Sequence, residues 1–229
     1  SGDEVLMPTI TFTATAEVAE YLGARTRMLD VEPDTLNLSA DAVRSALDKY
    51  RRVNGQWRHS DSGGRLAAIV PVHYGGHPCD IDALLAIASE YEVPLFDDAA
   101  HALPAAVGGR RIGGFPCPTA FSFYATKTLT TGEGGMLCTS DSSLAERARL
   151  MALHGISRDA WKRYAAGGEW YYEVMEAGYK YNLTDIAAAM GRVQLSRVES
   201  MLQRRREVAS RYHAALDSLE AIHLPIQRP

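Results

Sequence analysis

Val93-Pro-Leu-Phe-Asp-Asp98 and Thr119-Ala-Phe-Ser-Phe-Tyr-Ala-Thr-Lys127 are the two stretches on which the fold turns. Each is a short apolar run leading to a charged side chain, the pattern of a strand buried on both faces of a parallel sheet. In an open α/β sheet ligands sit in the crevice beyond the carboxyl ends of the strands, where Asp98 and Lys127 would emerge. A lysine amine that forms an imine, a carboxylate that holds a ring nitrogen protonated, and a hydroxyl such as that of Ser122 for a phosphate are together what pyridoxal phosphate requires. Taken singly, each residue has a plainer reading. An aspartate after a strand is more often a helix cap or turn residue, and a lysine there is usually solvated.

Helical and strand periods alternate outward from these stretches. Ala14 to Leu22 reads as a helix closed by Gly23, Thr26 to Val31 as a short strand, and Ser39 as the cap of a helix running to about Tyr50. Leu66 to Val72 reads as a buried strand, and Asp80 as the cap of a helix over Ile81 to Tyr91 with Leu84, Ile87, Ala88 and Tyr91 on one face. With the strand ending at Asp97 this makes a βαβ unit. Beyond Lys127, Gly135 to Thr139 is a further strand, Ser143-Leu-Ala-Glu146 is a capping box opening a helix to His154, and Thr184 caps a long helical region to about Leu219 with a break near Ser196. The alternation predicts an α/β fold with a mostly parallel central sheet flanked by helices. Two stretches read as irregular: Lys49 to Gly64, a polar surface loop, and Ser157 to Ala177, which sets Trp161, Tyr164, Trp170, Tyr171 and Tyr172 among glycines.

Composition narrows the function classes. A chain of 229 residues, 46% hydrophobic and 8% aromatic, can bury a sizeable core, and a net charge of −4 exerts no general pull on nucleic acid or anionic membranes. Arg204-Arg205-Arg206 is the one basic run and reads as a solvated helix face. Cys79, Cys117 and Cys138 are odd in number and widely spaced, so they read as reduced, half-buried thiols, with neither a disulfide framework nor a metal site expected. No apolar stretch approaches the ~20 residues of a membrane helix, and Ser1-Gly-Asp-Glu4 does not resemble a signal peptide, which makes a cytoplasmic location the expectation.

Asp97-Asp-Ala-Ala-His-Ala102, Phe121-Ser-Phe-Tyr-Ala-Thr-Lys127 and Gly132-Glu-Gly-Gly135 resemble the sugar aminotransferases of the DegT/DnrJ/EryC1/StrS family. The resemblance extends through Gly2-Asp-Glu-Val5, Pro8-Thr-Ile-Thr-Phe12, Pro71-Val-His-Tyr-Gly-Gly76, Asp80-Ile-Asp82 and Gly178-Tyr-Lys-Tyr-Asn-Leu-Thr-Asp185, nearly the whole chain. Within the family the likeness is to the subgroup that makes UDP-4-amino-4-deoxy-L-arabinose. It implies an aspartate-aminotransferase-like large domain over residues 1–195 with its N-terminal part missing, and over 196–229 a long helix leading toward a truncated small domain.

The resemblance also implies roles. Lys127 would carry pyridoxal 5'-phosphate as an imine and, once freed, act as the acid and base. Asp98 would hold the pyridinium nitrogen, His101 would lie beside the ring, Phe12 would stack on its face and Ser122 would donate to the phosphate. A residue of Gly178-Tyr-Lys-Tyr-Asn182 would reach a neighbouring subunit's phosphate in a homodimer. Many relatives have Asn where Lys180 stands, so both Lys180 and Asn182 are candidates. Glutamate would be the amino donor and a nucleotide-linked keto sugar, of the 4-keto type, the acceptor. The alternatives are a sugar dehydratase, whose relatives carry His at the lysine position, and a non-catalytic remnant.

Overall fold

The computed structural model describes residues 2–156 and 173–226. Trp161, Tyr164, Trp170, Tyr171 and Tyr172 lie outside the described residues. Strand β1 (Asp3–Pro8) is followed by helix α1 (Thr13–Tyr21) and by β2 (Arg25–Leu29), which pairs with β1 in parallel because α1 carries the chain back over the sheet. Helix α2 (Ala40–Leu47) is capped by Ser39, whose hydroxyl accepts from the Ala42 N–H at 3.3 Å. It ends earlier than its apolar pattern implies, because the chain from Tyr50 onward is drawn into a hairpin.

Strands β3 (Tyr50–Val53) and β4 (Gln56–His59) pair antiparallel around Asn54-Gly55, correcting the expectation of an irregular loop over this stretch. Both turn residues have positive φ, 50° and 79°, the conformation of a primed hairpin turn, for which Asn-Gly is the strongest local signal. Tertiary packing holds the hairpin in place. The Trp57 ring lies 4.7 Å from that of Tyr91, and Tyr50 is buried.

Strand β5 (Arg65–Ile69) lies beside β1 in parallel and meets β4 antiparallel at Arg65. Helix α3 (Ile81–Glu90), capped by Asp80, buries Ile81, Leu84, Ile87 and Ala88. It returns the chain to β6 (Asp97–Asp98), which is shorter than its apolar run. Leu95 bridges Ile69 and Asp98 bridges Val72, both in parallel, with the Ile69 N–H donating to Pro94 and the Phe96 N–H to Ile69. A small antiparallel pair, β7 (Ala106–Val107) and β8 (Arg110–Arg111), precedes β9 (Thr119–Ser122), which is parallel to β6.

Strand β10 (Gly135–Cys138) is antiparallel to β9, since only a loop and no crossover helix joins them. The central run β2-β1-β5-β6-β9 is parallel, as expected, and antiparallel strands at β10 and in the hairpin extend it into a mixed sheet. Helix α4 (Ser142–Ala152) starts before the expected capping box. Asp141 accepts from the Ser143 and Leu144 N–H groups, at 2.8 and 3.1 Å, and takes the capping position from Ser143. Helices α5 (Asp185–Ser196), capped by Thr184, and α6 (Val198–Leu216) follow, with the break at Arg197. Among the described residues no helix is long and apolar enough to cross a membrane. Cys79 and Cys117 prove fully buried, only Cys138 being half-buried. Burial, with the charge of Asp97 adding to it, pushes the Cys117 thiol up to about 11.

One buried charge ties the hairpin to the sheet. Glu4 has no exposed surface, and its carboxylate accepts from Arg27 at 2.7 Å, from the Ser62 hydroxyl at 2.6 Å and from the Tyr50 hydroxyl at 2.5 Å. Burial alone would raise its pKa, but these three donors and the Arg27 charge outweigh it and hold the carboxyl down at about 2. A Cβ at Gly64 would stand 2.6 Å from the same carboxylate, so only glycine lets the chain pass there. Because the folded pKa lies below the ordinary 4.5, this stabilisation is present above pH 4.5 and is lost as the pH falls toward 2. Glu4→Gln should therefore cost on the order of 2 kcal/mol near neutrality, with the gap to wild type narrowing between those two pH values in urea titrations.

Candidate active site

Strand alternation sends the two adjacent aspartates of β6 to opposite faces. Asp97 is buried beneath the sheet, where the fully buried His73 ring presents Nε2 at 2.9 Å from Oδ2 and 2.8 Å from Oδ1, hydrogen-bonding only the former. The Cys79 N–H donates to His73 Nδ1 at 2.9 Å, so that nitrogen is the acceptor and Nε2 carries the hydrogen toward Asp97. The backbone N–H of His73 donates to the Asp98 carbonyl at 3.1 Å. One histidine thereby holds both residues of the strand end.

Asp98 is half-buried and faces the other side. Its Oδ2 accepts from the Thr15 hydroxyl of α1 at 2.7 Å, and its Oδ1 from the Ala100 N–H at 3.1 Å. His101 follows in the turn beyond β6. Its pKa is lowered, first by partial burial of the ring and then by the positive charge of Lys127, with the negative charge of Asp98 opposing both. The His101 ring is therefore within electrostatic reach of both Lys127 and Asp98. Phe12 is the N-terminal cap residue of α1, 76% exposed, at the end of the helix that delivers Thr15.

Lys127 sits in the turn after β9, where its N–H donates to the Tyr124 carbonyl at 3.0 Å. The side chain is half-buried and makes no hydrogen bond or ion pair among the described residues. The loop carrying it is braced at its base, since the Phe123 carbonyl accepts from both the Thr131 N–H and the Thr130 hydroxyl. Ser122, on the last turn of the ladder before this loop, accepts the Tyr124 N–H at 3.3 Å and keeps its own hydroxyl hydrogen free to donate. The glycines of Glu133-Gly-Gly135 serve close approach. A Cβ at Gly134 would lie 2.6 Å from the Thr131 hydroxyl and one at Gly135 2.7 Å from the Phe121 carbonyl.

Lys180 and Asn182 come from a separate segment, of which Asn182 lines a cavity with Thr131, Glu133 and Gly134. Lys180 and Asn182 pair with each other on an exposed segment beside the end of α4, where Lys180 bridges Leu153 and the Tyr179 and Tyr181 rings stack at 4.8 Å. His154 lies past that helix end with φ of 57°, its N–H donating to Tyr179. Thr15 and His73 were absent from the candidates read from sequence. His73 falls within the quoted Pro71–Gly76 stretch, but no local pattern points to the aspartates that the two residues hold, which lie 24 and 83 residues away along the chain.

The family model for the DegT/DnrJ/EryC1/StrS aminotransferase family matches residues 1–228. The chain belongs to this family. SpsC, a spore coat polysaccharide biosynthesis protein of Bacillus subtilis, is 42% identical over 98% of the chain and 54% of its own length. The aminotransferase TlmJ from Streptoalloteichus hindustanus superimposes with a TM-score of 0.85 at 38% identity, over 100% of this chain and 56% of TlmJ. The sugar aminotransferase CalS13 from Micromonospora echinospora does so with 0.81 at 31%, over 99% and 57%. The chain thus spans about half the length of the curated relatives it matches.

In this family member, the electrostatic coupling within the crevice is directly measurable. The His101 ring should titrate below the ordinary histidine value of 6.5. Lys127→Met removes a positive charge and should raise the midpoint, whereas Asp98→Asn removes the opposing negative charge and should lower it further. Proton NMR titration of the imidazole resonances checks both signs.

Proposed function

We propose that the chain is the cofactor-binding part of a homodimeric, cytoplasmic, pyridoxal-phosphate-dependent aminotransferase that moves an amino group from glutamate to a 4-keto sugar linked to a nucleotide. What supports this reading is that Asp98, a carboxylate held on both oxygens at the end of β6, and Lys127, a half-buried amine in the turn after β9 with no hydrogen bond or ion pair among the described residues, both lie within electrostatic reach of His101. Family membership supports the transferase class, and the sugar aminotransferase among the structural relatives supports the acceptor class.

The side chains fit the cofactor's needs. The outer side of the Asp98 carboxylate suits the ring N–H, and a carboxylate there favours the protonated ring. The Ser122 hydroxyl, which donates to no group among the described residues, suits the phosphate, the exposed Phe12 side chain would offer a stacking face, and His101 follows three residues after Asp98. The chemistry supplied by bound pyridoxal phosphate is an electron sink for amine transfer. Lys127 Nζ would hold the cofactor, and as a free amine it would be the general base and acid that moves the proton of the donor's α-carbon. Its amine can lose a proton when desolvated or near other positive charge, which arginine's guanidinium does not do. Exposed Lys180 and half-buried Asn182 hydrogen-bond each other, and one of the two would serve a neighbouring subunit's phosphate.

Two experiments test the reading. Borohydride reduction of the protein with pyridoxal phosphate, followed by peptide mapping, should place a pyridoxyl adduct on Lys127, and an adduct on Lys162 or Lys180 in its place would overturn the assignment. The pyridoxamine-loaded protein should then aminate nucleotide-linked 4-keto sugars in preference to their 3-keto isomers and to free keto acids. Turnover of keto acids alone would remove the sugar from the reading.

A further inference from the structure

Thr15 stands in the first turn of α1, a helix whose N-terminal cap residue, Phe12, supplies no side-chain hydrogen bond. A threonine in such a place ordinarily serves its own helix. Here the side chain is buried and its hydroxyl reaches eighty-three residues along the chain to Asp98 Oδ2, at 2.7 Å. The Thr11 hydroxyl lies 2.7 Å behind it.

The direction of this relay follows from donor counting. A carboxylate oxygen only accepts, so the single hydroxyl hydrogen of Thr15 points at Asp98, and the hydrogen between the two threonines comes from Thr11, whose other acceptor, the Phe12 carbonyl, is farther away at 3.3 Å against 2.7 Å. The chain therefore runs Thr11 to Thr15 to Asp98, each bond polarising the next. On the opposite oxygen the Ala100 N–H completes the grip, so the carboxylate plane cannot turn without breaking one of the two bonds. Threonine's branched Cβ confines its χ1, which leaves the hydroxyl little freedom to follow a rotating partner.

We propose that Thr15 is a positioning residue, which sets the plane of the Asp98 carboxylate toward the cofactor's ring nitrogen. The proposal rests on the reading of Asp98 given under Proposed function. It acts through Asp98, and Thr11 acts through Thr15.

The test is a cycle read by the dissociation constant for pyridoxal phosphate, followed by absorbance, with thermal melting as the control for folding. Thr15→Val keeps the shape and removes the hydroxyl, and should weaken the cofactor about tenfold, the scale of one hydrogen bond to a charged group. Thr15→Ser restores the donor and should recover affinity to within about threefold of wild type. In an Asp98→Ala background, Thr15→Val should change affinity no further. An equal loss in both backgrounds, or a loss that serine does not recover, would overturn the proposal. If Thr15→Val does not fold, Thr11→Val decides. A loss of about twofold or more that disappears in the Asp98→Ala background supports the relay, and no loss refutes it. A wild-type protein that takes up no pyridoxal phosphate sinks the reading of the site itself, whereas normal uptake by wild type and Thr15→Val alike sinks only the role of Thr15.

Discussion

His73 has no exposed surface and makes three hydrogen bonds: its backbone N–H donates to the Asp98 carbonyl, its ring Nε2 donates to Asp97, and its ring Nδ1 accepts from the Cys79 N–H. A buried ring nitrogen left without a partner is costly, so Asp97 must point inward. Once it does, the period of a strand turns Asp98 outward into the crevice. Leaving the buried Asp97 carboxylate without this donor costs about 1–3 kcal/mol or more, which favours Asp97 inward and Asp98 outward.

The rest of the crevice is assembled around that fixed point by segments distant in sequence. Helix α1 brings Thr15 and Phe12 from one crossover, the end of β6 brings Asp98 and His101, and the loop after β9 brings Ser122 and Lys127. The antiparallel turn back into β10 matters here. It forces the chain after Ser122 into a tight loop, and the Phe123 carbonyl closes that loop by accepting twice. Lys127 therefore projects from a braced turn.

Glu4 does for the outer hairpin what His73 does for the crevice. Its buried carboxylate gathers donors from β2, from Tyr50 at the start of β3 and from the turn after β4. The hairpin is held by a charge at its root and by Trp57 on Tyr91, and the residues between are largely exposed. On the far side, the segment carrying Lys180 and Asn182 is laid across the end of α4 by the N–H groups of Tyr179 and Tyr181, which satisfy the last carbonyls of that helix.

The amino-acid sequence by itself determined the βαβ alternation, the caps at Ser39, Asp80 and Thr184, the buried face of α3, the break between α5 and α6, and the family. These are local or motif-borne properties, written in apolar period and in residues beside one another. It also carried, in Asn54-Gly55, a hairpin signal that the surrounding polarity masked. Only the tertiary structure decided the mixed sheet, the shift of the α4 cap to Asp141, and the partners of Asp98. Strand direction depends on how the chain returns across the sheet. The hold of Thr15 on Asp98, and of His73 on Asp97, depends on distances between residues that no local pattern relates, and these exist only once the sheet has closed around them.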